Sequence, residues 1–222
     1  MQRRATAQDL ATWAESLAGI ARTGLGFTES LYERERFEEV LKVAAEIRGH
    51  ASDDPDHETI AAEWMKQVGS GVPGYVTPKI AVGAVVGNEQ GEILLVQRAD
   101  SGIWLYPTGW ADIGYSAAEV AQKEVFEETG IHCEPRKIIG VLDGMRMGFT
   151  QIPLYSVVFH CVAVGGELNG HPLETSDVGW FSKDDLPDPI AGAERWGADA
   201  FAAIDGADIP PNFDLPRTPP WE

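Results

Sequence analysis

Polar and apolar positions along this chain follow two different periods. From residue 5 to about 70, apolar residues recur every three or four positions, the period of a helix with one buried face. Leu10, Trp13, Leu17 and Ile20 make the first such stripe. Two glycines in TGLGF (23–27) predict a break, and Thr28 with Glu29 supplies a capping residue and a first-turn acid for a second helix. The stripe of that helix is Leu31, Phe37, Val40, Leu41, Ala44 and Ile47. After the acidic turn ASDDPDHE, a third short helix carries Ile60, Trp64 and Val68. Three helices this apolar cannot bury all their faces alone, so packing on the next domain or on a second subunit is expected. No heptad is sustained over several turns, which excludes a coiled coil.

The segment GSGVPGYVTP (69–78) is rich in glycine and proline and marks a boundary. Beyond it the texture becomes that of strands. KIAVGAVVGN, a turn at NEQG and EILLVQRA predict a hairpin of two largely buried strands. Further strands fit residues 133–143, 153–164 and 178–181, and GAERWGADAFAAID (192–205) is a final helix. The tail PPNFDLPRTPPWE is proline-rich and expected to be extended. The predicted domains are a helical one at 1–70, a linker at 71–78, a second domain at 79–205 and a tail at 206–222. Strands around one strongly marked helix imply an α/β sandwich behind a small all-α domain.

Composition narrows the classes of function. The net charge of −18, from 35 acidic and 17 basic residues, disfavours nucleic acid, where affinity comes from Lys and Arg. A small anionic ligand remains compatible, because a divalent cation can bridge it to carboxylates. No apolar run approaches the roughly eighteen residues of a membrane span. Asp9 and Glu15 interrupt the stretch where a signal peptide would be apolar, so a cytoplasmic location is expected. Cys133 and Cys161 lie in apolar stretches without a metal-ligand spacing and read as buried free thiols. Five scattered histidines argue against a zinc site.

The candidate chemistry sits in WLYPTGWADIGYSAAEVAQKEVFEETGI (104–131). Ser116 and Glu119 form an S-x-x-E capping box, so a helix should begin at Ala117, and Gly130 should stop it. Glu124, Glu127 and Glu128 then project on one side, with Val120, Ala121, Val125 and Phe126 on the other. Like charges at this spacing destabilise a helix, and those in the last turn also oppose its dipole. A hard divalent cation removes the conflict, whereas a solvated acidic face is the ordinary alternative. The loop PTGWADIG, with Gly109 and Gly114, lets main-chain carbonyls approach such an ion.

This stretch closely resembles the Nudix box, G-x5-E-x7-R-E-U-x-E-E-x-G-U with U apolar. Gly109, Glu124, Val125, Glu127, Glu128, Gly130 and Ile131 match, which is seven of nine specified positions. Tyr115 and Lys123 replace a glutamate and an arginine that form a supporting ion pair in the family. Their joint exchange reads as one coupled change, with Lys123 bonded to the Tyr115 hydroxyl or seated on its ring. VGAVVGNEQGEILLVQRA and WFSKDDLP extend the resemblance to about residues 78–205. TGLGF and YERERFEEVLKVAAEIRG are similar to the N-terminal extension of a subgroup that includes CDP-choline pyrophosphatases and hydrolases of X-linked nucleoside diphosphates.

The resemblance implies a Nudix-type α/β/α sandwich with a mixed sheet, a small nucleotide-derivative substrate and a homodimer. It implies Mg2+, or Mn2+ as substitute, held by Glu124, Glu127, Glu128 and the Gly109 carbonyl. It also implies a base in the loop before the last strand, where Glu174 and Asp177 are the candidates and surface solvation explains them equally. Arg98 and Arg146 are candidates for phosphate, with a plain surface role as the alternative. Trp104, Tyr106, Trp110, Tyr115, Phe149 and Tyr155 are candidate platforms for a base, with core packing the more ordinary role. The proline that marks many ADP-ribose-cleaving members is absent from Arg146–Gly148, and the coenzyme A motif is absent too, which favours CDP-choline-like substrates. The alternative is a catalytically weak ligand-binding or regulatory protein of the same fold.

Overall fold

A computed structural model describes residues 4–52, 56–69, 76–112, 114–148 and 150–217. Phe149, much of the expected linker, the middle of the acidic turn and the end of the tail lie outside the described residues. The chain forms two compact units. One takes in residues up to Pro78 together with Gly144–Pro153, and the other takes in Lys79–Asp143 and the chain from Leu154 onward.

The first unit holds α1 (Ala7–Phe27), α2 (Leu31–Ser52) and α3 (His57–Lys66). Thr6 caps α1, its hydroxyl accepting from Asp9 N at 3.1 Å while Asp9 Oδ2 accepts from Thr6 N at 2.8 Å. The expected break at TGLGF does not occur, because α1 runs on to Phe27. Gly24 serves a close approach instead, since a Cβ there would collide with the Phe37 ring of α2. The buried face of α1 also differs in part from the expected one, of which Leu10 and Leu17 pack partly buried. It consists of Ala11, Ala14, Ala18, Ala21, Arg22 and Leu25, while Trp13 is 53% and Ile20 63% exposed. Small residues let the α1 and α2 backbones approach, so the alanine stripe packs on Leu41, Ala44 and Ala45. The second helix starts at Leu31, not Thr28, and Leu31 is exposed. The segment 144–153 joins this unit through Gln8 Nε2, which donates to Met145 O, and Arg48 Nη1, which donates to Gln151 O.

The second unit is built on a mixed eight-stranded sheet: β1 (Lys79–Gly87), β2 (Ile93–Arg98), β3 (Trp104–Leu105), β4 (Thr108–Trp110), β5 (Ile131–Asp143), β6 (Leu154–Gly166), β7 (Thr175–Phe181) and β8 (Asn212–Phe213). The expected β1–β2 hairpin is paired only at its tip, Gly87 with Ile93. Beyond the tip β1 pairs in parallel with β6 and antiparallel with β4, and β2 turns to β3 and β7. Strand β1 is apolar at nearly every position because both of its faces are covered. Val82, Ala84 and Val86 pack beneath α4 (Ala117–Thr129) with Val120, Ala121 and Val125. On the other face Gly83 admits the Tyr106 ring and Gly87 admits Ile204 of α5 (Ala193–Ile204). The result is an α/β/α sandwich preceded by a small all-α region. Cys133 and Cys161 are buried free thiols on β5 and β6. Among the described residues no helix is long and apolar enough to cross a membrane.

Candidate active site

The helix predicted at Ala117 forms as expected. Ser116 Oγ accepts from Glu119 N, and Glu119 Oε2 accepts from Ser116 N at 2.6 Å. Gly130 ends it with φ 73°, a left-handed conformation that suits glycine, and a Cβ there would strike Glu167 O. Val120, Ala121 and Val125 anchor α4 to the sheet, but Phe126 does not share their burial. Its ring is half-exposed and stacks on His132, with centroids 4.7 Å apart.

The opposite side of α4 meets β4. Strand β4 is held on β1 by register pairs such as Val82 with Gly109, and by Thr108 Oγ1 donating to Val82 O at 3.0 Å. That placement presents the Thr108 N–H to Glu128 Oε2 at 3.0 Å. It also lays Gly109 under the Glu124 carboxylate so closely that any Cβ would occupy the carboxylate's place. Any side chain at 109 would have to displace the end of Glu124, so the glycine serves this close approach and not φ.

A third segment closes the site. The C-terminal end of α4 leaves carbonyls without helical partners, and the chain after β6 supplies them. Asn169 N donates to Thr129 O at 2.8 Å, and both His171 N and Thr175 Oγ1 donate to Glu128 O at 3.4 Å. Ala99 N donates to Glu174 O at 2.9 Å, and Thr175 pairs with Arg98 where β7 meets β2. Glu174 is thereby carried to the same opening as the helix glutamates.

These parts surround a cavity of about 430 Å³ lined by Arg98, Asp100, Thr108, Gly109, Trp110, Asp112, Lys123, Glu124, Glu127, Glu128, Leu173 and Glu174. Of the residues anticipated from sequence, Arg98, Gly109, Trp110, Glu124, Glu127, Glu128 and Glu174 meet here. Trp104 and Tyr106 do not line it. Both rings are buried, Trp104 edge-on to Phe181 and Tyr106 edge-on to Trp196, so they pack the core. Arg146 belongs to the helical unit. Tyr115 stands 55% exposed, and the partners of Lys123 are Asp112 at 3.1 Å and Glu127 at 3.0 Å. Sequence reading missed Asp112, Asp100 and Leu173. An aspartate two residues from Trp110 was the only signal for the first, and none marked the other two.

Electrostatics set the carboxylates apart. Burial pushes the Glu128 carboxyl up to about 7, the charges of Glu124 and Glu174 add to the rise, and the Thr108 N–H opposes it. Glu124 is raised as well, chiefly by burial. Arg98 is held charged by its fork to Asp100, with Nε–Oδ1 2.9 Å and Nη2–Oδ2 2.6 Å. Among the described residues no three His, Cys, Asp or Glu side chains close on one point, since Glu127 turns to Lys123. The donor set nonetheless suits a hard divalent cation. The buried Glu128 and the partly buried Glu124, both penalised for their charge, a third carboxylate beside them and a main-chain cradle at Gly109 are oxygen ligands of the right kind.

Residues 77–202 match the NUDIX domain family, and residues 8–68 match a family described as a UDP-X-like, N-terminal oligomerisation domain. A putative ADP-ribose pyrophosphatase of Bacillus subtilis is 35% identical over 78% of this chain and 81% of its own length. Among solved structures, a UDP-X diphosphatase covers 91% of this chain and 97% of its own, with 26% identity and a TM-score of 0.54. An ADP-ribose pyrophosphatase of Streptococcus suis covers 62% of this chain and 100% of its own, with 32% identity and a TM-score of 0.54.

Proposed function

The chain belongs to the Nudix family of hydrolases acting on phosphorus-containing acid anhydrides, and from that premise we propose that it is a Mg2+-dependent pyrophosphohydrolase of a nucleoside diphosphate joined to a second moiety. The observation that carries this reading is the convergence of Glu124 on Gly109, Glu128 on Thr108 N and Glu174 on one cavity. Glu124, Glu127, Glu128 and the Gly109 carbonyl would hold Mg2+, or Mn2+ in its place. Once bound, such an ion neutralises the diphosphate oxygens and polarises the attacking water.

The chain's own groups do the rest. Glu128, fixed through Oε2 by the Thr108 N–H, lines the cavity. Glu174 Oε takes the proton as the water oxygen bonds to phosphorus, and the P–O–P bridge breaks to leave two phosphate monoesters. Arg98, already oriented by Asp100, offers its remaining N–H groups to a phosphate oxygen at the rim. Trp110, half-exposed with Lys79 Nζ 5.1 Å from its ring centroid, offers a face for stacking. The two relatives named for ADP-ribose and the one named for UDP-X share a nucleoside diphosphate carrying a second group, and CDP-choline has the same bond.

Trp13 and Ile20 lie seven residues apart, so they share a face of α1, and they remain exposed within a segment matching an oligomerisation domain. This face is the proposed contact of a homodimer.

Incubation of the purified chain and Mg2+ with UDP-linked sugars, CDP-choline and ADP-ribose, with products separated by chromatography, tests the reaction. A nucleoside monophosphate should form from at least one of them, and Glu124→Gln and Glu128→Gln should abolish it. Retained binding of all three with no cleavage would instead support the ligand-binding alternative and sink the hydrolase reading for this chain.

A further inference from the structure

Lys123 stands where the helix, the β4–α4 segment and the acidic cluster meet. Its Nζ lies 3.0 Å from Glu127 Oε2, 3.1 Å from Asp112 Oδ2 and 3.8 Å from Glu124 Oε1. Glu127 is on the same helix and Asp112 is not, so the ammonium links α4 to the segment in front of it. Among the described residues that segment is otherwise secured near its ends. Ala111 N donates to Ile80 O at 3.0 Å, and Ser116 is held by the capping box. Between them, Tyr115 N reaches Asp112 O only at 3.4 Å, and the Tyr115 side chain is exposed.

The neighbouring carboxylates favour a cation at this point. Glu124 and Glu127 repel each other, and Glu127, already half in solvent, is paired with Lys123. The other cation lining the cavity, Arg98, is committed to Asp100 by two hydrogen bonds. We infer that the Asp112–Lys123 pair is a positioning device for the proposed hydrolysis, fastening the β4–α4 segment to α4 and fixing the direction of Glu127 beside Glu124. This rests on the hydrolytic reading of the cavity. Ion pairs as exposed as this one add little to stability, so the effect falls on geometry and not on the fold.

The test is a double-mutant cycle of Lys123→Met and Asp112→Asn, with Lys123→Arg as the rescue and Tyr115→Phe as the control. Three quantities are read: melting temperature, hydrogen exchange at the amides of Ala111, Asp112, Gly114 and Tyr115 without metal, and kcat and KM with Mg2+. The melting temperature should stay near wild type. Each single variant should speed exchange in the segment about 10-fold and lower kcat about 10-fold, with KM within about 2-fold. The double variant should be no worse than Lys123→Met alone, Lys123→Arg should recover most of the loss, and Tyr115→Phe should behave as wild type. Additive losses, unchanged exchange, or tighter Mn2+ binding with undiminished kcat in Lys123→Met would overturn the inference. The last outcome would make Lys123 a mere competitor for the cation. If the wild-type chain cleaves no nucleoside diphosphate derivative, the hydrolytic reading fails first, and the exchange data still report whether the pair fastens the segment.

Discussion

Helices α1 and α4 begin alike but differ in the ionisable group they bury, Arg22 with Glu15 3.8 Å away on α1 and Glu128 on α4. Each opens with a capping box, Thr6 with Asp9 and Ser116 with Glu119. On α1 the hidden face is mostly alanine, while Trp13 and Ile20 stand in solvent. On α4 an ionisable carboxyl, Glu128, is 7% exposed, and the large apolar ring of Phe126 is half out. Burying apolar area is favourable and burying an unpaired charge is costly, so both helices depart from the usual partition. Under the proposed function each departure is resolved from outside the chain, by a second copy at α1 and by a cation at α4.

The sharpest way to break this contrast is to neutralise the two acids whose charge is penalised by desolvation. Glu124→Gln and Glu128→Gln should each lower turnover by about 100-fold or more, while Glu128→Gln should leave the metal-free chain at least as stable as wild type by thermal melting. A large loss of stability instead would make Glu128 a structural residue.

Filling the cradle under Glu124 comes next. Gly109→Ala places a methyl where the carboxylate lies, and should lower kcat/KM by about 10- to 100-fold and weaken Mn2+ binding by calorimetry. Wild-type affinity in this variant would remove Gly109 from the site.

Acidity sharpens the contrast further. Because the Glu128 carboxyl is raised to about 7, the folded chain keeps a proton there that the unfolded chain has released. Its contribution to stability is complete below the ordinary glutamate range and is lost as pH rises toward and past 7. Melting temperature without metal should therefore fall across that window through this group, and saturating Mg2+ should flatten the fall. A slope unaffected by Mg2+, or still present in Glu128→Gln, would place its origin elsewhere.

The mildest effect on turnover is expected at α1. Trp13→Glu combined with Ile20→Glu should convert a dimer to a monomer by light scattering, with kcat changed by less than about 3-fold, since exposed positions tolerate substitution. A doubly substituted chain that remains dimeric would move the interface off this face.

Much of this was legible in the sequence because it depended on short-range rules. Ser116, Glu119 and Gly130 fix α4 by capping chemistry that acts within a few residues, and the spacing of Glu124, Glu127 and Glu128 follows from helix geometry. Other readings failed where packing partners decided. Of the expected α1 stripe Leu10 and Leu17 do join the packed side, but Trp13 and Ile20 stand exposed and the alanines meet α2, because two helices in close contact need small side chains more than large ones. Gly24 looked like a helix breaker and is instead the point where Phe37 approaches. Trp104 and Tyr106 flank the site in sequence but turn inward against Phe181 and Trp196.

By itself the sequence determined the period of each element, the ends of α4, the acidic cluster on it and the glycine in front of it. These follow from propensity, capping and the 3.6-residue turn, which act within one segment. The tertiary structure alone decided which distant residues complete the site. Glu174 arrives because the unsatisfied carbonyls at the end of α4 bind the chain after β6, and Glu128 acquires its raised pKa because β4 and the sheet exclude water from it. Lys123 turned to Asp112 and not to Tyr115 for the same kind of reason: a charge pairs with whatever the fold brings within reach.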